Sequence, residues 1–76
     1  MKSTEQKVID VFTEHLGYPA DALTADKTLE DIGCDSLDIV ECVAELEDEF
    51  GIEISDEEVG NLHTIQDAID LVKRLI

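Results

Sequence analysis

Between Ser3 and Gly17 the apolar residues Val8, Ile9, Val11, Phe12 and Leu16 recur at the spacing that gives a helix one apolar face. Ser3 followed by Gln6 reads as a capping box, and Gly17 with Pro19 ends the pattern, which predicts a first amphipathic helix of about four turns. From Tyr18 to Gly33 the periodicity fades. Only Leu23, Leu29 and Ile32 stand out among Ala, Asp and Thr, so a long loop with a few apolar side chains tucked onto the core is expected. Helical spacing returns from Ser36 to Phe50, and Gly51 is placed to end that helix in a left-handed cap. Ile52 and Ile54 alternate with Glu53, but no second strand is present to pair with them, which predicts an extended connector. Ser55 with Glu58 opens a short helical turn from Asp56 to about Asn61. Thr64 with Asp67 then opens a last helix, on which Ile65, Ala68, Ile69, Val72, Leu75 and Ile76 share a face. The expected fold is all-α: a small antiparallel bundle of three main helices plus one short helix, with a long loop after the first, forming a single domain over residues 1–76.

The stretch Ser36 to Phe50 has more apolar residues than one buried stripe requires. With successive residues placed about 100° apart, Ile39, Cys42, Val43, Leu46 and Phe50 fall on one side, as a core-facing stripe does. Leu37, Val40 and Ala44 fall on another side, near the meridian of Ser36, flanked by Glu41, Glu47 and Asp48. Two readings fit this second patch. It either completes a wide buried face, or it is a docking face whose apolar centre enters a shallow site on a partner while its acids pair with Arg or Lys at the rim. An acid-rimmed apolar patch beside a helix start favours docking.

Charge sharpens that reading. Twenty acidic residues against five basic ones give a formal net charge of -15, and no lysine or arginine occurs between Lys27 and Lys73. Such a field repels nucleic acid and anionic membrane and steers basic partners. The longest apolar runs are two or three residues, so neither a signal peptide nor a transmembrane span is expected, and a cytoplasmic location is. Cys34 and Cys42 are then expected to be reduced thiols, and they make a poor zinc site.

Ser36 stands at the first position of the central helix, with Asp35 as the expected N-cap and Gly33 loosening the approach. A phosphate ester on its hydroxyl would lie near free N–H groups and the positive end of the helix dipole, whereas Asp35 and Asp38 oppose it. From spacing alone, a helix-start residue and a modification site remain equally open. Serine hydrolysis fits badly, because no G-x-S-x-G surrounds Ser36 and the only possible bases, His15 and His63, are expected at the surface. No calcium-binding D-x-[DN]-x-[DN]-G loop is present, and no metal site is expected.

The run Gly33-Cys34-Asp35-Ser36-Leu37-Asp38, followed by Val40-Glu41 and Glu45-Leu46-Glu47-Asp48-Glu49-Phe50, resembles the prosthetic-group site of acyl carrier proteins. The likeness extends to Leu16-Gly17, to Ile54-Ser55-Asp56-Glu57-Glu58 and to Thr64-Ile65-Gln66-Asp67-Ala68-Ile69. It implies that Ser36 bears 4′-phosphopantetheine, transferred from coenzyme A by a phosphopantetheinyl transferase, and that the arm's thiol carries acyl groups as thioesters. It also implies a non-catalytic, monomeric carrier, with Asp35, Leu37, Asp38, Val40, Glu41, Ala44, Glu47 and Asp48 as its recognition face for acyl-processing enzymes. Fatty-acid synthesis is the expected pathway. The alternatives are a dedicated polyketide, lipid A or other acyl pathway, and an unmodified acidic interaction module. Cys34 stands where such carriers often have alanine, and Cys42 where leucine is common. The smaller Cys42 on the core face is expected to leave extra room for a long or branched chain.

Overall fold

The computed structural model describes residues 2–19 and 21–76. Ala20 of the predicted loop, and Met1 at the head of the predicted domain, lie outside the described residues. Four helices follow in order: α1 (Thr4–Leu16), α2 (Ser36–Phe50), α3 (Asp56–Gly60) and α4 (Ile65–Leu75). All four predicted helices are therefore present, and no strand occurs among the described residues.

Local chemistry accounts for the helix boundaries. Ser3 caps α1 by accepting the Gln6 amide, but the predicted box is half formed, because the Gln6 side chain donates to Asp10 at 2.9 Å instead. Asp35, Ser55 and Thr64 each head a complete capping box, with Asp38, Glu58 and Asp67 as the returning carboxylates. Gly51 ends α2 at φ 64°, a left-handed conformation in which its amide reaches the Glu47 carbonyl.

The core gathers Val8 and Phe12 of α1, Cys42, Val43 and Leu46 of α2, and Ile65, Ala68, Ile69, Leu71 and Val72 of α4. α1 packs on both α2 and α4, while α3 packs on α2. Leu71 is buried although the predicted apolar face of α4 omitted it, and Ile76, predicted on that face, is exposed. Ile76 is the C-cap residue of α4, its amide still reaching the Val72 carbonyl at 3.0 Å.

The long loop is tied down from two sides. Leu23, Leu29 and Ile32 insert into the core, as predicted. The backbone adds a seam to the α3–α4 connection: Leu29 N donates to His63 O at 2.9 Å, Ile65 N to Lys27 O at 3.1 Å and Gln66 N to Ala25 O at 2.9 Å. Thr28 and Thr64 form an isolated antiparallel bridge within this seam. The Tyr18 hydroxyl donates to Ile32 O at 2.8 Å and closes the loop's far end. Together these bonds fix the path of residues 28–35, which lead into α2.

Candidate attachment site at the start of the central helix

Gly33 adopts φ 75°, a left-handed turn that an L side chain resists, and so reverses the chain into Cys34 and Asp35. Cys34 N then donates to Leu29 O at 2.9 Å. Asp35 caps α2, Ser36 is its first residue, and the Ser36 side chain is exposed. The first-turn amides of Ser36 and Leu37 have no carbonyl partner inside the helix. Ser36 thus combines an accessible hydroxyl with the positive end of a helix dipole.

Each acid around it has a distinct environment. Asp38 is half-buried, and its carboxyl is held below the ordinary 3.8, first by the Asp35 amide and then by the His15 ring. Glu47 accepts the Ile54 amide at 2.9 Å, so it anchors the connector after α2 while remaining at the edge of the face. Asp35, Glu41 and Asp48 are exposed. Leu37 is 66% exposed and Val40 58%, and Ala44 is exposed as well. A wide buried face is therefore excluded for this patch: the second apolar side of α2 is open to solvent and edged by acid.

His15 departs from expectation. It is not a surface histidine: its side chain is only 15% exposed and lies between α1 and α2. Nε2 stands 3.1 Å from Asp38 Oδ1 and 3.2 Å from Glu41 Oε2, and Nδ1 stands 3.7 Å from Glu45 Oε1. The signal was in the sequence, since His15 lies seven residues after Val8 and three after Phe12, on the inward side of α1. His63 is exposed, as expected.

Beside the helix start lies a cleft of about 560 Å³. Leu29, Cys34, Ile39 and Leu62 supply its apolar lining, and Thr28, Glu30, Asp35 and His63 its polar side chains. Pattern reading had no means to find it, because its walls come from the loop, α2 and the α3–α4 connection together. Cys34 lines this cleft, whereas Cys42 is fully buried in the core. Burial pushes the Cys34 thiol up to about 11, aided by the charges of Asp38 and Asp35, and pushes Cys42 up to about 12. Both thiols are free, and neither has the electropositive surroundings of a reactive cysteine. No group of three or more ligating side chains among the described residues could hold a metal ion.

An exposed serine, an adjoining cleft and an acid-edged apolar face fit a phosphopantetheine arm: the hydroxyl supplies the attachment atom, and the cleft can take the arm or its cargo. Residues 6–72 match the family described as phosphopantetheine attachment site. An acyl carrier protein from Thermotoga maritima is similar at 28% identity over 97% of this chain and 93% of its own, with a TM-score of 0.79. The actinorhodin holo acyl carrier protein from S. coelicolor is 30% identical over 95% of this chain and 87% of its own, with a TM-score of 0.72. An apo doublet acyl carrier protein from prodigiosin biosynthesis is 27% identical over 95% of this chain, with a TM-score of 0.81; the match spans 35% of that longer chain.

Proposed function

The chain belongs to the phosphopantetheine-attachment family of acyl carrier proteins, and from that premise we propose that Ser36 is the residue that bears the 4′-phosphopantetheine. The observation that carries this reading is the placement of Ser36: an exposed hydroxyl at the first position of α2, beside the cleft and within the matched residues. When bound, the group supplies a terminal thiol on which acyl chains travel as thioesters.

This chain's own residues do the rest. Asp35 and Asp38 fix the helix start that displays Ser36. Leu37, Val40 and Ala44 form the apolar centre of the docking face, and Glu41, Glu47 and Asp48, with the two aspartates, present charge to basic patches on phosphopantetheinyl transferases and acyl-processing enzymes. The chemistry on the acyl group then belongs to those enzymes, and the carrier itself is not a catalyst. No described helix is long and apolar enough to cross a membrane, and we place the carrier, as one domain, in the cytoplasm with its partners.

Fatty-acid synthesis is the pathway we assign, supported by the apolar wall of Leu29, Ile39 and Leu62 beside Ser36. A dedicated pathway such as polyketide assembly is the second reading. It is favoured by the polar groups of Thr28, Glu30 and His63 at the same cleft and by the likeness to carriers of actinorhodin and prodigiosin. Peptide mapping after treatment with coenzyme A and a phosphopantetheinyl transferase tests the attachment. The added group must lie on the peptide containing Ser36, and its location on any other serine or threonine contradicts the assignment. The acyl species on protein purified from its source decides between the pathways.

A further inference from the structure

His15 meets α2 with both of its ring nitrogens. Asp38, Glu41 and Glu45 lie three and four residues apart, which sets their carboxylates along one flank of α2. Two of them face Nε2 and the third faces Nδ1. A neutral imidazole donates from one nitrogen only and turns a lone pair outward from the other. Nε2 is within hydrogen-bond distance of Asp38 and 3.2 Å from Glu41, and Nδ1 is within ion-pair distance of Glu45, so a ring that carries both protons faces an acid at each nitrogen.

His15 is also the sole counter-charge available there. Among the described residues, Asp38, Glu41 and Glu45 have no other cation within ion-pair distance, and no charged group of α4, α3 or the long loop comes within that distance of the ring. On α1 itself, Asp10 is paired with Lys2, and Glu14 is exposed.

We propose that His15 is a positioning residue that, while charged, holds Asp38 and Glu41 against α1 and so restrains the docking face that displays Ser36. The docking part of this inference rests on the carrier reading. Partner Arg and Lys side chains must compete with the imidazolium for two of the recognition acids. Loss of the His15 charge leaves both acids without a counter-charge and deepens the negative field over the face, while it removes the ionic tie between α1 and α2; Asp38 stays in its capping box with Asp35. Docking and fold stability therefore move in opposite directions, which a residue that merely packs does not produce.

The test compares the wild-type chain with His15→Gln and His15→Lys, using a phosphopantetheinyl transferase and coenzyme A. Kinetics and thermal unfolding are read at about pH 6 and about pH 8.5, on either side of the range in which histidine ordinarily changes charge. At the lower pH, His15→Gln is expected to lower KM for the carrier about two- to five-fold with kcat unchanged, as removal of one nearby cation predicts. It is also expected to melt below wild type. Both differences close at the higher pH, while His15→Lys keeps the lower-pH wild-type KM at both. A raised KM or reduced kcat in His15→Gln, or differences that do not change with pH, overturns the proposal. If no variant is modified, the carrier reading fails by itself. The melting curves still judge His15: a gap between wild type and His15→Gln that closes with rising pH supports the ionic tie, and a constant gap refutes it.

Discussion

Asp35 and Asp38 cap one another across Ser36. Asp35 Oδ1 accepts the Asp38 amide at 2.9 Å, and Asp38 Oδ2 accepts the Asp35 amide at 3.2 Å. The two acids that flank Ser36, the proposed attachment residue, thus hold the helix start in shape as well as lending it charge. A substitution that removes charge and one that removes the cap must be distinguished before either is read as a docking effect.

Asp35 allows that separation. Asparagine caps helices about as well as aspartate, whereas loss of an N-cap to alanine costs about 1 kcal/mol. In urea unfolding, Asp35→Asn is expected to stay near wild type and Asp35→Ala to lose about that amount. Both should weaken association with a basic partner, because both lose the charge. Equal stabilities for the two variants would show that the cap contributes nothing.

The cysteines give a count. Cys34 and Cys42 are buried, with their thiols pushed up to about 11 and about 12. Native apo protein near neutral pH is therefore expected to resist iodoacetamide, and denatured protein to take up two equivalents, one at each cysteine. The holo form should expose one additional reactive thiol, that of the arm. Rapid alkylation of native apo protein would contradict the burial. A raised thiol value also means that the unfolded chain releases these protons first. Stability is then expected to fall as pH rises above the ordinary 9.0 toward those values.

Acid acts in the same direction through other groups. Asp10, Asp26, Asp38 and Glu58 all have carboxyls lowered by hydrogen bonds: from Lys2 and Gln6, from Thr24, from the Asp35 amide and His15, and from Ser55 and Arg74. A depressed folded value contributes stability that is present above the unfolded value and lost as pH falls through the folded one. The loss is therefore expected below the ordinary 3.8 to 4.5 of these groups. Thermal unfolding against pH checks it; a stability that rises steadily below that range would contradict it.

Salt addresses the remaining charge. Lys73 ties α4 to Glu5 of α1, and Arg74 ties α4 to Glu58 of α3, but a net charge of -15 leaves a large excess of acids over bases. Added sodium chloride or a divalent cation is expected to raise the melting temperature at neutral pH by screening that repulsion. A melting temperature indifferent to both would refute the role given to self-repulsion.

The helices were legible because their signals are local. Ser55 with Glu58, Thr64 with Asp67 and the glycine after Phe50 mark boundaries within a few residues of sequence. The two sides of α2 were legible for the same reason, since a helical wheel separates Cys42, Val43 and Leu46 from Leu37, Val40 and Ala44. What escaped was long-range. The seam joining residues 25–29 to 63–66 is made of backbone atoms, which leave no pattern in side-chain type. His15 was misplaced because a histidine on an apolar face takes its meaning from the opposite helix, 23 residues away at Asp38. The cleft beside Ser36 likewise exists only once the loop and α4's approach are in place.

The attachment itself is tested most directly by intact-mass measurement of the wild-type chain and Ser36→Ala after incubation with coenzyme A and a phosphopantetheinyl transferase. The wild-type chain is expected to gain the mass of one phosphopantetheinyl group, and Ser36→Ala, folded to the same helical content, is expected to gain none. Modification of Ser36→Ala, or a wild-type mass unchanged with several transferases, would contradict the assignment of Ser36 as the bearer of the arm.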